Sequence, residues 1–151
     1  PFCFFGDPTT VDATSGIIQF FPFNQDLNRY MLIVTNAKSP KLRVTWGTKS
    51  KEYDAAELAK GVNLAADFLD NPFYPSFKKV EDAVRAQQVY ETWLIKSLLH
   101  NMPEIDANLP GQKASLDKLA QAGMDKEKSL NDAAVATVQP VRHTITIVPV
   151  K

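Results

Sequence analysis

The sequence predicts an α+β fold, a small, mainly antiparallel β-sheet or sandwich with a long antiparallel helical hairpin inserted before the last strand. Three observations carry that expectation. Residues 41–46 (KLRVTW) alternate strictly, with Leu42, Val44 and Trp46 on one face and Lys41, Arg43 and Thr45 on the other, as a half-buried strand requires. From Pro72 to Met102 the apolar residues recur at the helical period instead. In residues 141–150 (VRHTITIVPV) alternation returns, placing Val141, His143, Ile145 and Ile147 on one face of a final strand.

The remaining elements follow in order. The opening Pro-Phe-Cys reads as a strand, and so does the β-branched and aromatic run 16–21 (GIIQFF). Residues 30–35 (YMLIVT) are apolar on both faces, which predicts a central strand. Asn36, Ser39 and Pro40 suit a turn, so a hairpin is expected to join 30–35 to 41–46. The segment WGTKSKEY turns at Gly47. Residues 55–66 (AAELAKGVNLAA) favour helix until Gly61 interrupts, giving a short helix and then an irregular stretch. Asn71 can cap the long helix, Pro72 suits its first position, and Pro103 is expected to stop it. A second helix runs from about Gln112 to Val138, alanine-rich and containing Gly123, small enough to lie close against the first. Pro103, Pro110 and Gly111 mark the loop between the two, which makes them an antiparallel hairpin.

Composition bounds the function. With 151 residues, 44% of them hydrophobic, a single domain with a real core is expected, and no repeat, low-complexity tract or linker divides it. Seventeen basic residues balance 17 acidic ones with no basic run, which argues against nucleic acid and anionic membranes as partners. No apolar run approaches the ~18 residues of a membrane span, so no membrane insertion is expected. The single cysteine, Cys3, excludes an internal disulfide and a thiolate zinc cluster. Because the chain opens on proline, it reads as a piece of a longer protein.

Catalytic chemistry is sparse. A nucleophile needs a base in reach, and the histidines available are His100, near the end of the long helix, and His143, on the apolar face of the last strand. Both read as structural. Asn24, Asp26 and Asn28 in NQDLN have the spacing of a calcium loop's start, but the later glycine and the distal glutamate are missing, so no metal is expected. Neither a Gly-x-Ser-x-Gly elbow nor a phosphate-binding glycine loop is present. One polar residue stands out: Glu91 falls within the stripe of Phe73, Phe77, Val80, Val84, Leu94, Ile95, Leu98 and Met102, with Gln87 and Gln88 at its edges. A buried carboxylate needs a partner, so an ion pair with an arginine is expected, Arg29 being one candidate, with a polar seam against a neighbouring domain or a substrate cleft as the alternative. Arg29 stands at the entrance of an apolar strand, where Asp26 is its other candidate partner.

The segments PFCFFGDP, GIIQFFPFNQDLNRYMLIV, VTWGTKSKEYDAAELAKGVNLAADFLDNPF and AVRAQQVYET…IKSLLHNMP carry a resemblance over nearly the whole chain. They resemble the C-terminal region of GDSL-type lipase/acylhydrolases of the SGNH hydrolase superfamily. That resemblance implies a parent serine ester hydrolase whose flavodoxin-like catalytic domain precedes this region. It also implies a periplasmic or secreted location. The family's triad has no counterpart here. Pro8 follows Gly6-Asp7 where the serine would stand, and Ser97 and Pro140 lie three residues before His100 and His143 where the aspartate would be.

The expectation is therefore a non-catalytic accessory domain over residues 1–151, packed on the catalytic domain of the same protein and meeting an ester substrate only through it, with no cofactor. No residue is assigned a catalytic role. Asn24, Asp26, Asn28, Arg29, Gln87 and Glu91 are the candidate interface or substrate-proximal residues. The alternative is a stand-alone carbohydrate- or protein-binding module using Trp46, Tyr53, Phe73, Tyr74 or Trp93 as stacking platforms. The polar cluster FNQDLN is otherwise a turn whose Asn and Asp side chains bond the nearby backbone.

Overall fold

In the computed structural model, which describes residues 2–7, 9, 10 and 13–150, the alternating KLRVTW segment forms strand β2 (Lys41–Trp46). It is the middle strand of an antiparallel sheet ordered β3-β2-β5, with β3 (Lys49–Asp54) and β5 (Ile145–Pro149) on either side. Leu42 lies opposite Tyr53 and Pro149, Val44 opposite Lys51 and Ile147, and Trp46 opposite Lys49 and Ile145. The β2–β3 hairpin turns at Gly47, whose φ of +64° explains the glycine: a side chain there would be strained and would crowd Pro72 at 3.1 Å. Strand β3 leaves no alternation in the sequence because KSKEYD is an edge, and lysines on an edge hinder unwanted pairing.

Leu42, Val44 and Trp46 enter a core with Tyr53, Leu58, Leu64 and Phe68. Helix α2 (Ala55–Lys60) supplies Leu58; it starts on an Asp54/Glu57 capping box and ends at Gly61, with φ +101°. Strand β4 (Val62–Asn63) and the short helix α3 (Leu64–Asp67) follow.

Several expected strands are corrected. Residues 16–21 are not a strand: Thr14–Gln19 form a 3-10 helix. Thr14 Oγ1 accepts from the Phe5 amide at 2.9 Å, Ser15 Oγ donates to the Gly6 carbonyl at 2.7 Å and the Ser15 amide donates to the Phe5 carbonyl at 3.1 Å, so this segment is tied to residues 5 and 6 by two side chains and one backbone bond and not by a ladder. Residues 2–5 are not in a strand either. Of residues 30–35 only β1 (Met31–Leu32) pairs, and its partner is β4, not β2, so neither the central strand nor the 30–35/41–46 hairpin exists. The reason is visible in the side chains. Tyr30, Leu32 and Val34 pack on the core while Met31 and Ile33 point to solvent, so an apolar outer face imitated two-sided burial.

The chain divides into two compact units, Pro1–Phe77 with Pro140–Lys151, and Lys78–Gln139. The long helix α4 (Tyr74–Trp93) begins two residues later than Pro72, with Asn71 Oδ1 accepting from the Phe73 amide at 3.0 Å. It runs on as a π-helical segment, Leu94–Leu99. Pro103 does not stop the helical run; it sits in the first turn of α5 (Met102–Asn108), where its missing N–H leaves no bond unmade. Helix α6 (Lys113–Ala136) completes the hairpin within the second unit. Gly123 is what allows its close approach: an added Cβ would fall 2.5 Å from Leu94 Cδ1, and Tyr90 Oη donates to the Gly123 carbonyl at 3.2 Å.

Candidate functional site

The polar cluster at the start of the FNQDLN segment forms a four-residue helix, α1 (Phe23–Asp26), and its asparagines serve the interior. Asn24 and Asn28 are buried. Asn28 treats Phe2 as a neighbouring strand would, accepting from its amide at 2.7 Å and donating to its carbonyl at 3.0 Å, while its second N–H reaches Asn24 Oδ1 at 2.8 Å. Asn63 donates to the carbonyls of Asn24 at 2.7 Å and Asn28 at 3.0 Å, and its oxygen accepts from the amides of Tyr30 at 2.9 Å and Ala65 at 3.2 Å. The expected local turn is thus a long-range clamp. Asn71 extends the pattern, donating to the Phe68 carbonyl at 2.8 Å beside the buried Cys3, whose thiol is pushed up from its ordinary value by burial.

Asp26 and Arg29 face solvent, and Arg29 makes no ion pair among the described residues, which corrects the expected salt bridge. A guanidinium on an exposed position keeps its hydration and needs no carboxylate.

The aromatic candidates split by burial. Trp46 is 0% exposed and Tyr53 5%, so neither offers a face to a ligand. Tyr53 donates to Asp67 Oδ2 at 2.8 Å, and burial, with that carboxylate behind it, holds its phenol well above the usual range. Trp46 stacks on Tyr30 with centroids 5.2 Å apart and meets Phe68 and Phe73 edge-on. Phe73 and Tyr74 are half-buried, whereas Trp93 is exposed and leans on Tyr90.

His143 closes this aromatic group. Trp46 Nε1 donates to its Nδ1 at 3.1 Å and Tyr30 Oη lies 3.0 Å from its Nε2. An indole N–H only donates, so Nδ1 is the acceptor, the proton is on Nε2, and the imidazole donates to Tyr30. With both ring nitrogens occupied, His143 is a structural histidine in this geometry. His100 is exposed.

In the second unit Glu91 is half-buried, and its partner is neutral: Gln87 Nε2 donates to Glu91 Oε2 at 3.2 Å and to Glu127 Oε1 at 2.7 Å. The expected buried ion pair is therefore replaced by one amide shared between two carboxylates. The stripe around Glu91 is itself only partly buried, with Val84 and Ile95 exposed, so the carboxylate stays wet. Glu91→Ala is accordingly expected to change stability by no more than about 1 kcal/mol, because half-exposed hydrogen bonds contribute little. A thermal melt losing several times that would restore the buried-pair reading. Among the described residues no group of three or more His, Cys, Asp or Glu could hold a metal ion.

Large apolar side chains gather on the surface of one segment of the first unit: Phe20 is 81% exposed, Leu27 70% and Ile33 61%, with Phe21 and Met31 also exposed. Their sequence signal was the same apolar content that suggested strands.

No protein-family model matches the sequence, and no curated protein does. Among solved structures, one described as "BT4096 a gut microbial diltiazem-metabolizing enzyme" superposes with a TM-score of 0.60 at 19% identity. The match covers 99% of this chain and 41% of that one, so the chain spans about two fifths of the enzyme it resembles. At this identity the likeness is one of fold. The GDSL-type, SGNH resemblance is overturned: the structural neighbour is a diltiazem-metabolizing enzyme, and neither a family model nor a curated protein supports an SGNH C-terminal region.

Proposed function

We propose that this chain is a non-catalytic accessory part of a larger metabolizing enzyme, seated on the rest of that enzyme through the apolar side chains of residues 20–33. The observation that carries the reading is the exposure of Phe20, Leu27 and Ile33 along one short segment, because large apolar side chains left uncovered are what a docking face needs. The fold likeness over 99% of this chain and 41% of the neighbour supports it from a second side. So does the commitment of both His143 nitrogens to Trp46 and Tyr30, which leaves that base no free nitrogen to activate a nucleophile.

Hydrolysis is the reaction class to test first. The chain alone is expected to hydrolyse p-nitrophenyl acetate no faster than buffer, and turnover abolished by a serine-directed inhibitor would overturn the reading. A hydrophobic dye should bind the isolated chain and bind less when Phe20, Leu27 and Ile33 are changed together to Ser, with stability held within about 1 kcal/mol because exposed positions contribute little to folding. Dye binding indifferent to these substitutions would remove the docking face. The second reading, a stand-alone carbohydrate- or protein-binding module, is favoured by Trp93 alone, which is 51% exposed; saccharide binding lost in Trp93→Ala would promote it.

A further inference from the structure

We propose that the closed, loop end of the helical hairpin binds a small organic cation with an apolar body, an aryl- or alkylammonium, with Asp106 as the counter-charge. A groove of about 370 Å³ lies there within the second unit, inside the range of ~300–1,000 Å³ typical of small-molecule sites. Leu99 at the end of the π-helical segment, Met102 and Pro103 at the start of α5, and Leu116 in α6 make its walls apolar.

The charges in the groove do not cancel. Lys113 reaches both carboxylate oxygens of Asp117 at 2.9 Å, a closed pair one helical turn apart. Asp106 is near enough to Lys113 to be felt electrostatically, yet among the described residues it makes no hydrogen bond or ion pair. The residue is half-buried and lines the groove beside the apolar side chains. The groove therefore carries one uncompensated negative charge beside apolar surface. A ligand that matches both would pair an ammonium with Asp106 and lay its hydrocarbon on Leu99, Met102 and Leu116.

The π-helical turn supports the assignment independently. At its end the amide of His100 bonds the carbonyl of Ile95 at 2.9 Å, one residue further back than an α-helix would use. Such turns are costly and recur next to ligand sites. Here the turn ends where Leu99 enters the groove.

The experiment uses the whole chain with side-chain methyls observed by NMR, and three probes that share a phenyl ring and linker: 2-phenylethylammonium, 2-phenylethanol and 3-phenylpropanoate. The ammonium is expected to shift the Leu99, Met102 and Leu116 methyls and to bind more tightly than the alcohol, with the carboxylate weakest. Asp106→Asn should weaken the ammonium roughly tenfold, the scale of one charge-assisted hydrogen bond, while Glu104→Gln, an exposed change on the same helix, should leave it unchanged. Unperturbed spectra of each variant without probe establish that the fold is intact. Equal binding of ammonium and alcohol would overturn the proposal, as would equal losses in Asp106→Asn and Glu104→Gln. Tighter binding of the carboxylate would instead assign the groove to anions at the start of α6. No shift at probe concentrations of about 10 mM, where even a site of ~4 kcal/mol would fill, would leave no site at all.

Discussion

Trp46→Ala is expected to destabilise the first unit by about 3–5 kcal/mol, the range for deleting a fully buried large aromatic side chain. Trp46 is 0% exposed in the middle strand of the sheet, with Tyr30 stacked on it and Phe68, Phe73 and His143 edge-on around it. Alanine would leave a cavity among rigid rings that cannot collapse together, and would also strip His143 Nδ1 of its donor. Trp46→Phe separates these effects by restoring part of the volume and none of the hydrogen bond, so its loss should be smaller. Nitrogen NMR of His143 should show a single Nε2–H tautomer in the parent and a mixture in Trp46→Phe. Urea melts within about 1 kcal/mol of the parent for Trp46→Ala would mean the core lies elsewhere, since buried truncations exceed that; an Nδ1–H tautomer in the parent would refute the Trp46–His143–Tyr30 order.

Asn28→Asp is expected to be the most damaging isosteric change, about 3–5 kcal/mol near neutral pH, the cost of a buried charge without a partner. The residue is 3% exposed, and its amide donates to the Phe2 carbonyl and to Asn24 Oδ1. A carboxylate would turn two hydrogen bonds into acceptor–acceptor contacts at the same distances. Its sign with pH follows. Burial among acceptors raises the folded-state pKa of the new carboxyl above its unfolded value, so the folded variant binds more protons. The deficit should therefore shrink as pH falls towards the unfolded carboxylate range and grow as pH rises through the folded value. Asn28→Leu, which has no charge, should lose stability with no such pH dependence by orphaning Phe2 N–H and C=O. A parallel pH response in both variants would show that Asn28 is solvated.

Both changes probe residues whose type was conspicuous in the sequence but whose role was not. Asn24 and Asn28 stand in a polar cluster, and polar clusters are ordinarily surface turns; nothing within reach along the chain pointed to Phe2, 26 residues away. Glu91 and Arg29 were joined on charge alone, yet Arg29 keeps its water and Glu91 takes Gln87, four residues along its own helix. The Asp106 groove had no sequence signal, because its walls come from α5, α6 and the π-helical turn.

What the sequence by itself determined is what periodicity and local steric rules encode. The α+β class, strand β2 and its buried face, the Gly47 turn, the end of α2 at Gly61 and the close hairpin at Gly123 all follow from spacing, from φ and from the absence of a side chain. Tertiary structure decided the rest. It chose β4 over β2 as the partner of β1, turned residues 14–19 into a 3-10 helix, put the asparagines inside and left Phe20, Leu27 and Ile33 outside. The physical reason is that an apolar run or an amide has the same composition whether it is covered or bare. Which it becomes depends on donors, acceptors and surfaces brought from elsewhere in the chain, and those distances are set only when the core closes.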